Sequence, residues 1–358
     1  MDTLDDFDRK NYEYTVKADE VRVNSLYPFF FQFDKKIPKP EPIITIGTSF
    51  IATPGNIITI AGAPKSGKSN FIVSSIITGL LHLNGHVDTL GLTIKKNELG
   101  GLCLTIDTEH TPYQHDRLYR QAFRKSQVNA QPDWLKNYLL RGLAADELMK
   151  NLALLLRYWA YHLNSVFIVI LDGVADFVES INDEKECNLL VRKLENLARQ
   201  YNCVFVCVLH HNKGTKFVRG HLGSQLERKS ESVLTITNQG ENNYIVEGTL
   251  LRNSKGFQSL RLCFEENEGF MIYKGVAGSK KDSESAQEKR LQKFKTRKDE
   301  VFKGQKELPY QDFINWIKEE FIAEERTAKK YKKEFEAAGL ITSKENGKIV
   351  VLMDGSEG

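Results

Sequence analysis

The segment Gly62-Ala63-Pro64-Lys65-Ser66-Gly67-Lys68-Ser69 has the spacing GxxxxGK[ST] and follows directly on the apolar run Ile57-Ile58-Thr59-Ile60-Ala61. Few folds admit such a loop between a buried strand and a helix. The backbone must curl around an anion and donate N–H groups to it, which a Cβ obstructs. Gly62 and Gly67 stand where that need arises, and the helix opening near Ser69 adds the positive end of its dipole. The loop therefore reads as a cradle for the phosphates of ATP, formed by Gly62, Ala63, Pro64, Lys65, Ser66, Gly67, Lys68, Ser69 and Asn70. Lys68 is expected to reach the β- and γ-phosphates, and the Ser69 hydroxyl to ligate Mg²⁺. Lys65 is either a further phosphate contact or a solvated loop lysine.

The chain downstream supplies the sheet that this loop requires. A helix is expected over Asn70 to Leu83, a surface hairpin over His86 to Gly101, and a buried strand at Leu102-Cys103-Leu104-Thr105-Ile106. Helices at Gln114 to Lys125, Ala145 to His162 and Glu184 to Tyr201 alternate with strands near Tyr138-Leu139-Leu140, at Val166 to Leu171 and at Val204 to Leu209. Strands alternating with helices at this spacing predict parallel βαβ units, giving an α/β core with a mostly parallel central sheet flanked by helices. From Val233 to Tyr273 the pattern shortens to four strands, expected to extend one edge antiparallel.

Carboxylates close two of the apolar strands. Val166-Phe167-Ile168-Val169-Ile170-Leu171-Asp172 has the form of a strand that presents an acid to the Mg²⁺ shell, with Asp176 as the competing carboxylate. The strand ending Ile106-Asp107-Thr108-Glu109 is expected beside the P-loop strand, where Glu109, or else Asp107, polarises the attacking water. Val204 to Leu209 runs into His210-His211-Asn212-Lys213, and one of these polar residues senses the γ-phosphate, with His211 as the candidate.

The net charge of +3 does not by itself point to nucleic acid, so any basic surface is local. The apolar runs are strand-length, far short of a bilayer span, and no signal pattern precedes them, so a soluble cytoplasmic protein is expected, without a membrane partner. Residues 1–25 read as a flexible arm or a packed edge. After Tyr273 the composition shifts to the charged, serine-bearing stretch Gly278 to Ser285, which places a linker at 276–287 between a core of 26–275 and a module of 288–358. In that module, helices at Glu288 to Phe302, Pro309 to Phe321 and Arg326 to Ala338 precede a hairpin turned at Asn346-Gly347, the order of a winged-helix domain. Arg326, Lys329, Lys330 and Lys333 share one helical face and are the expected contacts to DNA phosphates.

Taken in order, the P-loop, Ile-Asp-Thr-Glu, Leu-Asp-Gly and Leu-His-His-Asn-Lys resemble RecA-type ATPases, specifically the plasmid RepA-type hexameric helicases, over about Ile43 to Tyr273. The resemblance implies a RecA-like core, Glu109 as catalytic glutamate with Arg117 downstream, Asp172 as the Mg²⁺-shell aspartate, and a histidine motif at Leu209-His210-His211 with Lys213. It implies that Lys213, Lys216 and Arg219 face DNA or a neighbouring subunit. Arg252-Asn253-Ser254-Lys255-Gly256 resembles the basic finger that such hexamers insert into the adjacent ATP site, with Arg252 and Lys255 as the alternatives. The expected function is an ATP-dependent DNA motor or remodelling ATPase, a homo-oligomer and by family a hexamer, serving replication or mobilisation of a plasmid or mobile element. An ATP-regulated DNA-binding switch without unwinding is the alternative, and a signalling ATPase without nucleic acid is the third reading.

Overall fold

A computed structural model of the chain describes residues 6–27, 30–82, 85–211, 220–254, 256–277, 280–321 and 323–353. The chain divides into two compact units, Met1–Glu41 and Pro42–Gly358. In the first, Asp6–Leu26 form a helix, α1, where the sequence reading expects an arm or an edge. No proline or glycine interrupts these 21 residues, so the backbone ladder closes although no apolar stripe organises the surface.

The second unit opens with the hairpin β1 (Ile44–Ile46) and β2 (Ser49–Ala52), then the P-loop strand β3 (Ile57–Gly62). The helix after the loop starts as α2 (Lys68–Ile72), passes through a π-helical segment at Val73–Ile77 and ends as α3 (Thr78–Leu81). The hairpin expected between His86 and Gly101 does not form. Only β4 (Thr93–Ile94) is extended, and it pairs with β1 to complete a small sheet ordered β2-β1-β4.

The alternating core follows as β5 (Leu102–Asp107), α4 (Pro112–Ser126), β6 (Leu135–Leu139), α5 (Ala145–Leu163), β7 (Val166–Asp172), α6 (Glu184–Gln200), β8 (Val204–His210), α7 (Gly220–Lys229) and β9 (Ser232–Gly240). A meander of β10 (Asn243–Leu251), β11 (Leu260–Glu265) and β12 (Phe270–Val276) closes it. These strands form one nine-stranded sheet in the order β12-β11-β10-β9-β3-β8-β7-β5-β6. The strands from β9 to β6 are parallel, and β10 to β12 are antiparallel.

Two expectations change here. β9 pairs antiparallel with β10 as expected but parallel with β3 on its other side, and β8 and β7 separate β5 from the P-loop strand. Pairing partners of parallel strands are set by tertiary packing, so adjacency in sequence does not predict adjacency in the sheet. Along β3, Ile58 and Ile60 enter one apolar core and Ile57 and Ala61 the other, which is why the strand reads as an uninterrupted apolar run.

The last module begins with α8 (Lys280–Phe302), so the expected linker is helical from Lys280 onward. Its Lys, Glu, Gln and Ala content favours helix in the first turns, where no apolar period marks one, and Phe294, Val301 and Phe302 farther along are buried. Then come β13 (Glu307–Pro309), α9 (Tyr310–Glu320), α10 (Glu325–Ala337), β14 (Ile341–Lys344) and β15 (Ile349–Leu352). The strands form an antiparallel sheet ordered β13-β15-β14, in which β13 is additional to the expected hairpin. Phe294 stacks on Phe335 at 4.8 Å, and Phe302, Phe313, Ile317, Ile341 and Val350 complete a buried core of the module's own.

Candidate functional site

β3, β8, β7 and β5 all finish at one edge of the sheet, here called the carboxyl edge. The register sets Gly62 beside His210 and Asp107 beside Asp172. Loops at this edge of a parallel sheet are where ligands of α/β folds bind.

The P-loop has the backbone its motif demands. Gly67 caps α2 with φ of 87°, and a Cβ there would lie 2.7 Å from Met271 Cε and 2.9 Å from Tyr244 Cε1. At Gly62 a Cβ would meet the Ser66 hydroxyl and come within 2.5 Å of the Ile236 carbonyl oxygen. Ala63, Pro64 and Lys65 are exposed at the apex, with Lys65 also left-handed at φ of 62°. Ser66 Oγ and Asn70 Oδ1 are buried without a hydrogen-bond partner among the described residues. Buried polar atoms ordinarily have partners, so both suit a polar ligand in the cradle. The donor set fits a nucleoside triphosphate with Mg²⁺.

Lys68 is buried, and its ammonium donates to the carbonyls of Gly62 (3.2 Å) and Ala63 (3.0 Å) and meets His210 Nδ1 at 2.9 Å. Burial lowers its pKa, and Glu109 and Asp172 oppose that shift. On the far side of the same imidazole, His210 Nε2 lies 3.1 Å from Glu109 Oε1. This hydrogen bond holds Glu109 below the usual carboxylate range. Lys68, His210 and Glu109 thus form one chain of contacts across three strand ends. Asp172 is hydrogen-bonded to Ser69, and burial lifts its pKa to about 6. Asp176, its competitor, instead accepts from Thr108 Oγ1 at 2.7 Å.

Asp107, the alternative to Glu109, is fully engaged. Oδ2 meets His110 Nδ1 at 2.9 Å and His115 Nδ1 at 2.7 Å, while Oδ1 accepts from the backbone N–H of Glu109 and of His110, both at 3.0 Å. Burial opposes ionisation, yet the hydrogen bonds from His110 and His115 hold this carboxyl well below the usual range. The same contact raises the pKa of His110. With its oxygens committed, Asp107 orients the Glu109 turn and leaves Glu109 as the accessible carboxylate. His110 and His115 are additions to the sequence reading. Their only signal was two histidines within eight residues of a strand-terminal acid, flanking the Thr111–Gln114 capping box of α4.

The histidine chosen from the sequence takes a different place. His211 is buried, its backbone N–H donates to the Gly62 carbonyl at 3.0 Å, and its Nε2 has no partner among the described residues. Successive residues of a strand face opposite ways, so only His210 joins Lys68 to Glu109. Arg252 follows β10 at the opposite, amino edge of the sheet, where its guanidinium donates to the Arg228 carbonyl at 2.8 Å. It does not reach the P-loop of its own chain. Lys213, Lys216, Arg219 and Lys255 lie outside the described residues. Arg326, Lys329, Lys330 and Lys333 are exposed on α10, with Lys329 held by Glu325 at 2.6 Å.

Among the described residues no helix is long and apolar enough to cross a membrane. No curated protein matches the chain. A family model described as AAA domain matches residues 25–216, more than half of the 358 residues and the whole span from the P-loop to His210. With the phosphate cradle, the Ser69–Asp172 pair and the Lys68–His210–Glu109 contacts all inside that span, the chain belongs to the AAA_25 family of AAA domains, a P-loop ATPase family.

Proposed function

We propose that the chain is an ATP hydrolase that acts on DNA, a ring-forming motor or remodeller of the RepA-like helicase type whose C-terminal module is a winged helix. The observation that carries the hydrolase reading is the chain of contacts from Lys68 through His210 to Glu109 beside the Ser69–Asp172 pair. In this reading the loop N–H groups and Lys68 hold the phosphates, and Glu109, anionic at neutral pH, accepts a proton from the attacking water and aligns it on the γ-phosphate. His210 ties the position of Glu109 to that of Lys68, so a phosphate drawing on Lys68 alters the support of the base. Ser69 and Asp172 would hold Mg²⁺, which supplies charge neutralisation on the phosphate oxygens.

Support for DNA comes from the exposed basic face of α10 in a module with three helices and a β13-β15-β14 sheet. Support for oligomerisation comes from Arg252, which can serve as a finger only toward a neighbouring copy. Phosphate release with and without DNA is the primary test, and equal turnover in wild type and Lys68→Ala sinks the hydrolase reading. Strand displacement on a forked duplex separates a motor from an ATP-regulated DNA-binding switch. Light scattering with ATP and DNA tests the ring.

A further inference from the structure

The helices α6 and α7 pack side by side, their last turns toward the amino edge of the sheet, and line a cavity of about 320 Å³. Asn188, Arg192, Glu195 and Arg199 line it from one face of α6, and Gln225, Arg228 and Lys229 from the last turns of α7. Val191 adds an apolar wall to the cavity, and the opposite face of α6, with Leu190, Leu194 and Ala198, is buried, so the basic row is the solvent stripe of an amphipathic helix. What distinguishes this stripe is how its charges are matched. Lys229 has a carboxylate, Glu195, at 3.3 Å. Among the described residues Arg199 donates only to the Asn196 amide, at 2.8 Å, and Arg228 only to the Gln225 amide. Arg192 has no acidic partner among the described residues. In the last module, by comparison, Arg290 is paired with Glu334 and Arg297 with Glu320.

Helix dipoles account for Arg199, Arg228 and Lys229 one at a time, since each stands in a last turn. They do not account for Arg192 in mid-helix, nor for three guanidinium groups converging on one concavity, where they repel one another. Such a field is relieved by an anion, and guanidinium forks match phosphate oxygens two at a time. We propose that the cavity between α6 and α7 binds backbone phosphates of a nucleic-acid strand, a second contact surface separate from α10. This rests on the reading that the chain acts on DNA.

The test uses the full chain and a fluorescein-labelled oligonucleotide titrated over a range of salt concentrations. For Arg192→Ala/Arg228→Ala we expect binding weakened about tenfold or more, and a log–log salt slope shallower by about 1.4 for a single strand, the value for two lost phosphate contacts. DNA-free ATP hydrolysis stays at the wild-type rate. Arg192→Lys/Arg228→Lys restores the slope and only part of the affinity, since charge survives without the fork. An unchanged slope and affinity overturns the cavity as a site. If Lys330→Ala/Lys333→Ala then still loses binding, the DNA reading itself stands. Wild-type protein that binds no oligonucleotide removes both. Independently of variants, phenylglyoxal modification of Arg192 and Arg228 mapped by mass spectrometry should be slowed by oligonucleotide. Protection by ADP alone, with none by oligonucleotide, would replace the proposal with a free-nucleotide pocket.

Discussion

The two edges of the central sheet handle charge in opposite ways. At the carboxyl edge, ionisable groups bond to one another across strands: Lys68 to His210, His210 to Glu109, and Asp107 to His110 and His115. Toward the amino edge the buried carboxylate Glu231 is held by neutral donors, and Arg192 and Arg228 are exposed with no acidic partner among the described residues. Mixed signs in mutual contact suit a site where charge moves during a reaction, because the groups can exchange partners as a phosphate is cleaved and leaves. Arginines without acidic partners suit an anion that stays the same. One sheet thus carries two environments because parallel strands place all their ends of one kind together.

The largest effects are expected at the carboxyl edge. Lys68→Ala and Glu109→Gln should each cut ATP hydrolysis by about 10²–10⁴-fold, read as phosphate release, with urea stability little changed. Equal losses of stability and activity would erase the distinction between the edges. At the amino edge the reverse is expected. Glu231 accepts from the Thr53 N–H at 2.7 Å, the Thr53 hydroxyl at 2.9 Å and Asn253 Nδ2 at 2.9 Å. Glu231→Ala strands those donors and should cost about 3 kcal/mol in urea unfolding, with hydrolysis per folded molecule retained.

A buried cation on neither edge sharpens the contrast. Lys125 donates to the carbonyls of Ser74 (3.0 Å) and Met271 (2.7 Å), and burial lowers its pKa to about 8, with Asp88 opposing. The unfolded chain binds this proton up to about pH 10.4 and the folded chain only up to about 8, so stability should rise with pH between the two, by roughly 3 kcal/mol at most. Lys125→Met should flatten that rise, monitored by urea midpoints at successive pH values. A smaller effect distinguishes neighbours within the carboxyl edge. His210→Ala should slow hydrolysis about tenfold, the scale of one hydrogen bond to a charged group, and His211→Ala should slow it less. Equal effects would mean that the Lys68–His210–Glu109 chain has no role. Smallest of all, Lys330→Ala alone should weaken DNA binding about threefold, as one screened surface phosphate contact.

The P-loop, the buried strands and the acids that end them were legible in the chain because each depends on neighbours within a few residues. A glycine at a fixed offset, an apolar run and a terminal carboxylate keep their meaning wherever the sheet later places them. The helix expected from Gln114 starts two residues earlier at Pro112, capped by Thr111, and α1 and the first turns of α8 were missed because charged, unpatterned segments give no apolar period although their residues favour helix.

The choice of His210 over His211 turned on which face of β8 meets the P-loop, and that depends on β3 being its neighbour. Asp107 could not be separated from Glu109 until His110 and His115 folded back on it. Arg192 and Arg228 stand 36 positions apart, and only the packing of α6 on α7 brings them to one cavity. Short-range patterns determine which chemistry the chain can carry, since they rest on backbone conformation and local burial. Strand order and helix packing decide which of those groups share a site, since distances between remote segments are set by the burial of the whole core.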